Sequence, residues 1–117
     1  PKDTDEQKAA RSDSLQQALV DAATVPMAVM EMCVSVIRLA GPVAEKGNTN
    51  AVSDAGVAAL VGLAGANAAR LNVLINLGSS ALKDEAFVAD RRARLDALLE
   101  GKGVMRDEIY DYVVSRL

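Results

Sequence analysis

The chain has 117 residues, half of them apolar, with 13 basic and 16 acidic side chains and a formal net charge of −3. That is enough for one domain, too apolar for intrinsic disorder, and without the basic footprint of a nucleic-acid binder. The absence of histidine removes Ser-His-Asp and Cys-His nucleophile pairs and the commonest zinc ligands. The single cysteine rules out an internal disulfide, as expected in a reducing, cytoplasmic compartment.

Charge is unevenly placed. Residues 1–13 carry seven charged side chains, residues 83–117 carry fifteen, and the 69 residues between them carry seven. A charge-poor middle between charged ends reads as a core with solvated flanks. In residues 1–23, Thr4 followed by Gln7 forms a possible capping box, and Leu15, Ala18, Leu19 and Ala22 recur at helical spacing. Thr24 and Pro26 then read as the cap and first turn of a new helix. This second helix, residues 25–46, keeps a narrow polar stripe of Glu31, Ser35, Arg38 and Glu45. Met27, Met30 and Met32 are expected in the core, Cys33 as an inert core thiol, and Gly41-Pro42 as a kink facing solvent. Lys46-Gly47 closes the helix, and Asn50 is expected to cap the next one.

The stretch Asn50–Gly78 is long, has no proline and contains only two charged residues. As a helix it has two sides. Asp54, Ala58, Gly65, Ala68, Asn72 and Asn76 share one, with Ala55, Gly62, Ala66 and Ala69 beside them. Val57, Leu60, Leu63, Leu71, Leu74 and Ile75 share the other, which the pattern assigns to the core. Interior glycines cost about 1 kcal/mol each relative to alanine, so Gly56, Gly62 and Gly65 require a packing reason. The uncharged run Ala55–Ala69 is 15 residues long, short of the ~20 of a membrane span, so no membrane is expected. Asp84 is a good N-cap for a helix carrying Phe87, Val88, Leu95, Leu98 and Leu99. Residues 84–117 read as one helix with a soft point at Gly101-Lys102-Gly103, with two helices as the alternative. No period-2 run predicts a strand. The expected fold is an all-α antiparallel bundle of long helices around a buried Ala/Gly-rich central helix, residues 51–77.

Three segments, PKDTDEQKAAR at 1–11, GNTNAVSDAGVAAL at 47–60 and LNVLINL at 71–77, together resemble the cyclodeaminase/cyclohydrolase family that acts on one-carbon folates. That family holds formimidoyltetrahydrofolate cyclodeaminase and bacterial methenyltetrahydrofolate cyclohydrolase, and the closing EIYDYVVSRL looks more like the cyclohydrolase branch. The resemblance implies hydrolysis of 5,10-methenyltetrahydrofolate to 10-formyltetrahydrofolate with no cofactor and no metal. It also implies that residues 1–117 are the C-terminal part of a single domain, with the catalytic aspartate on a segment upstream. The small apolar surface implies burial against that missing segment or another partner, and a homodimer is expected. The alternatives are cyclodeaminase chemistry with release of ammonia and a non-catalytic helical interaction module.

Candidate substrate-binding residues are the polar groups at the two ends of the central helix, Ser53 and Asp54 at one and Asn72 and Asn76 at the other. The plainer reading of Asp54 is a carboxylate stabilised by a helix N-terminus. For the asparagines it is hydrogen bonding to neighbouring helix ends. Their functional reading is recognition of a pterin, whose amide and amino edge needs paired donors and acceptors. Asp54 and Asn72 lie about 27 Å apart along a helix, too far to touch one ring. Arg70 reads as a paired structural arginine rather than a clamp for the folate glutamate. Any aromatic stacking platform must come from the C-terminal segment or another chain, since Phe87, Tyr110 and Tyr112 are the only aromatics.

Overall fold

A computed structural model describes residues 4–117, leaving the first three residues of the 1–11 motif outside the described part. Four α-helices follow in order: α1 Asp5–Lys46, α2 Val52–Leu77, α3 Glu85–Leu99 and α4 Lys102–Arg116. A 3₁₀ turn, Thr49–Ala51, precedes α2, and no strand occurs among the described residues. The fold is all-α.

The capping box is formed. Thr4 accepts from the Gln7 backbone N–H at 3.2 Å, and Gln7 Oε1 accepts from the Thr4 N–H at 2.9 Å. The restart expected at Thr24-Pro26 is absent: α1 is a single 42-residue helix that runs through both Pro26 and Pro42. Thr24 caps nothing; its hydroxyl donates back to the Val20 carbonyl at 2.7 Å inside the helix. Pro26 lacks the N–H that would reach the Ala22 carbonyl. A side chain from α2 supplies the replacement, as Asn76 Nδ2 donates to that carbonyl at 3.3 Å. Asn50 is not a cap either. The Asn48 side chain accepts from the Asn50 N–H at 2.9 Å, and Ala51 stands at the N-cap of α2.

Helices α1 and α2 form an antiparallel hairpin, with Ala22 beside Asn76 at one end and Cys33 beside Gly65 further along. The face of α2 that meets α1 is the small one. Ala55, Ala59, Gly62, Ala66 and Ala69 are buried with Val73 and Leu77. A Cβ on Gly62 would stand 3.0 Å from Ile37 and 3.3 Å from the Cys33 carbonyl oxygen. A Cβ on Gly56 would stand 3.2 Å from Val113 of α4. Small residues win the core side because they let two backbones approach, and dispersion contacts grow with that proximity.

The expectation that the bulky side of the central helix fills the core is not met within this chain. Val57, Leu71 and Ile75 are 55%, 69% and 75% exposed, and Leu60 and Val61 are exposed as well. Of the bulky side only Leu63 is buried and Leu74 half-buried. Met32 is also exposed, while Met27 and Met30 are in the core as expected. Cys33 is a half-buried free thiol.

The core has two parts. Ala23, Met27, Met30 and Val34 meet Ala66, Ala69, Val73, Leu77 and Leu95, with α3 as the lid. Ile37, Ala40 and Ala44 meet Val52, Ala55, Ala59, Leu63, Ile109 and Val113, with α4 as the lid. Asp84 caps α3 by accepting from the Phe87 N–H at 3.0 Å. Residues 84–117 are two helices rather than one, because Gly101 takes the left-handed conformation at φ 72° and ends the run.

Ion pairs Arg94–Glu31 and Arg70–Asp96 tie α3 to α1 and to α2. Gln16 clamps the α2–α3 connection, donating to the Ala81 carbonyl at 2.6 Å and accepting from the Lys83 N–H at 2.8 Å. Two stretches, Asp5–Lys46 and Thr49–Leu77, are long and apolar enough to cross a membrane, since each holds an apolar window wider than the uncharged run alone.

Candidate functional site

The two asparagines of the C-terminal end of α2 do come together. Asn72 and Asn76 border one hollow with Ala69 and Ile75 of α2 and with Ala22, Val25, Pro26 and Val29 of α1. The hollow holds about 440 Å³, enough for a bicyclic ring. Its side-chain lining is aliphatic apart from the two carboxamides.

The structure gives the two asparagines different tasks. Asn76 Nδ2 donates to Ala22 O and to Asn72 O, at 3.3 and 2.8 Å. Both its amide hydrogens are thus committed to repairing the helix at Pro26 and to its own helix. The Asn72 carboxamide makes no hydrogen bond within the described chain, so two donors and an acceptor face the hollow's edge. Helix α1 contributes the rest, with the Pro26 ring as a wall. Pro26 was the sequence signal for that wall, but local rules read it as a helix start.

Ser53 and Asp54 lie in the first turn of α2, both exposed and without a side-chain partner in the described chain. They are at the far end of the hairpin from Asn72, so the structure does not bring the four candidates into one site. Arg70 is held by Asp96 at 3.0 Å, as a structural pair. Its Nε is buried without a partner. Phe87 packs against the first core part and Arg91 stacks on it, 5.1 Å from the ring centre. Tyr112 lies beside α1 near Pro42 with Arg116 over its ring at 4.8 Å. Neither Phe87 nor Tyr112 lines the Asn72 hollow.

Among the described residues no cluster of three His, Cys, Asp or Glu side chains forms. The formiminotransferase-cyclodeaminase family model matches residues 1–97, and the chain belongs to that family. The methenyltetrahydrofolate cyclohydrolase of Methylorubrum extorquens is 47% identical over 117 residues, which are all of this chain and 55% of the relative. The formimidoyltransferase-cyclodeaminase of Sus scrofa is 40% identical over 116 residues, 99% of this chain and 21% of that protein. The chain thus spans about half the length of the first relative and about a fifth of the second.

Proposed function

We propose that this chain is the folate-holding part of a methenyltetrahydrofolate cyclohydrolase, which converts 5,10-methenyltetrahydrofolate to 10-formyltetrahydrofolate. The observation that carries this is 47% identity along the whole chain to a protein named for that reaction. The methenyl group is a cyclic amidinium cation. Water adds to the bridging carbon, and a proton then passes to the nitrogen that leaves. A carboxylate serves both steps, stabilising the cation and relaying the proton. Asp54 is about 27 Å along the helix from Asn72, so it does not act on a ring held at Asn72 of its own chain. The catalytic carboxylate is placed on the part of the domain that the relatives carry beyond the matched stretch, and that segment is a partner of this one. The reaction takes place in the cytoplasm and needs no cofactor.

In this scheme the Asn72 carboxamide meets the amide and amino edge of the pterin, and Pro26, Val25 and Val29 cover a ring face. Cyclodeaminase chemistry forms the same methenyl ring from a formimino group, so the same hollow suits it; the name of the first relative favours hydrolysis.

The test is alanine at each candidate in a protein of the relatives' length, followed by loss of the methenyl chromophore. Asn72→Ala is expected to raise KM about tenfold, the loss of one or two hydrogen bonds to a bound ring. Asn76→Ala is expected to lower stability by about 1 kcal/mol as well, because the Ala22 carbonyl loses its donor. Ser53→Ala and Asp54→Ala test whether the other end of α2 touches the substrate tail. Kinetics within twofold of the parent for all four would remove the site assignment.

A further inference from the structure

Helix α1 runs through two prolines, and the chain treats them differently. Each withdraws the N–H that the carbonyl four residues earlier would accept, and each ring crowds that carbonyl. At Pro42 the carbonyl belongs to Arg38, and among the described residues no side chain donates to it. At Pro26 it belongs to Ala22, and Asn76 Nδ2 reaches across from α2 to donate to it at 3.3 Å. The same nitrogen donates to the Asn72 carbonyl at 2.8 Å. Both amide hydrogens are in use, so the Asn76 carboxamide is fixed between the two helices. Ala22, Pro26, Asn72 and Asn76 all border the hollow. The bond from Asn76 to Ala22 therefore joins its two walls, one helical turn from the Asn72 carboxamide. Beside it, Ala23 and Met27 of α1 pack with Ala69, Val73 and Leu77 of α2. Those apolar contacts are non-directional, and the hydrogen bond adds the direction that they lack.

We propose that Asn76 is a positioning residue for the ring-binding hollow, and that Pro26 serves it by leaving the Ala22 carbonyl as the acceptor that Asn76 needs. The pair is a strut. It fixes the spacing and rotation of α2 against α1, and with them the place of the Asn72 carboxamide. Proline is the costliest residue to hold inside a helix, and at position 26 that cost falls where the hollow is built. Alanine there returns an intrahelical donor to the Ala22 carbonyl, which realigns with the helix axis, and the strut slackens. The more stable protein is then the poorer binder. Pro42, with no strut, is the internal control: its replacement stabilises the helix and leaves binding alone. The proposal deepens the folate reading and rests on it for binding, whereas the strut itself is read without substrate.

The test is a double-mutant cycle in a protein of the relatives' length, followed by thermal unfolding and by methenyl turnover. Pro26→Ala is expected to raise Tm by about 5 °C. It is also expected to raise KM about fivefold with kcat within about twofold, since the strut orients the ring and leaves the chemistry to another segment. Asn76→Ala is expected to lower Tm by about 3 °C in the parent, and by less than about 1 °C beside Pro26→Ala, where the carbonyl has its own donor. The double variant is expected to keep a KM increase of about fivefold, because both changes remove one strut; independent contacts would multiply to about 25-fold. Pro42→Ala is expected to raise Tm while KM stays within about twofold. Equal Tm losses from Asn76→Ala in the two backgrounds overturn the strut. An unchanged KM in Pro26→Ala, or multiplied KM effects in the double variant, overturns its part in binding and reduces Pro26 to a wall. A parent that leaves the methenyl compound intact fails the folate reading instead, and the Tm cycle then decides the strut alone.

Discussion

Met30→Ala is expected to remove about 2–5 kcal/mol of unfolding free energy, a large share of the roughly 5–15 kcal/mol that holds a domain of this size. Met30 is fully buried and packs with Val34, Ala66, Ala69 and Val73 where α1, α2 and α3 meet. With Leu95 of α3, the buried residues of this core part belong to three helices, so none can move to fill the space without leaving another contact. The loss is therefore the transfer term plus most of the cavity term. Urea unfolding followed by circular dichroism measures it at a fixed protein concentration. Glu45→Ala, at an exposed position near the other end of α1, serves as the control and is expected to stay within about 0.5 kcal/mol. A Met30→Ala cost as small as that of the control would mean that α1 presents a different face to its partners.

Gly62→Leu is expected to cost about 3 kcal/mol through overpacking, although leucine is the better helix former by nearly 1 kcal/mol. A Cβ at position 62 already meets Ile37 at 3.0 Å and the Cys33 carbonyl oxygen at 3.3 Å. The second neighbour is backbone, so a larger side chain must push the two long helices apart. Gly103→Ala provides the opposite sign. Nothing lies within 4 Å of a Cβ at that position of α4, and replacing a helical glycine gains about 0.5–1 kcal/mol. Thermal unfolding of both variants beside the parent reads the two signs together. Stabilisation by Gly62→Leu would contradict the close approach of α1 and α2.

Local features were legible in the sequence because they depend on neighbours in the chain. The Thr4–Gln7 box and the Asp84 cap follow from capping chemistry, and the extent of α2 follows from apolar spacing. The facing of α2 was not legible. Periodicity separates a small side from a bulky side, but which one meets α1 depends on how close two backbones can come. Here Gly62 and Ala66 allow an approach that Leu71 and Ile75 would prevent. The same limit applied at Pro26. Its missing donor argued for a helix start, yet Asn76, fifty residues later, supplies the hydrogen bond and the helix continues. That contact also explains why Asn72 and Asn76, equivalent by spacing, differ in availability. The open apolar face of α1, with Met32, Leu39 and Val43, was hidden for a related reason: two apolar faces on one helix read as general burial until one of them was found packed and the other open.

Product identification tests the central claim most directly. A protein of the relatives' length is supplied separately with 5,10-methenyltetrahydrofolate and with formiminotetrahydrofolate, with chelator present, and the products are followed by mass spectrometry and an ammonia assay. The expected result is 10-formyltetrahydrofolate from the methenyl substrate, slowed by Asn72→Ala, with no ammonia from the formimino substrate. Release of ammonia from the formimino substrate, with the methenyl compound left intact, would contradict it and identify a cyclodeaminase instead.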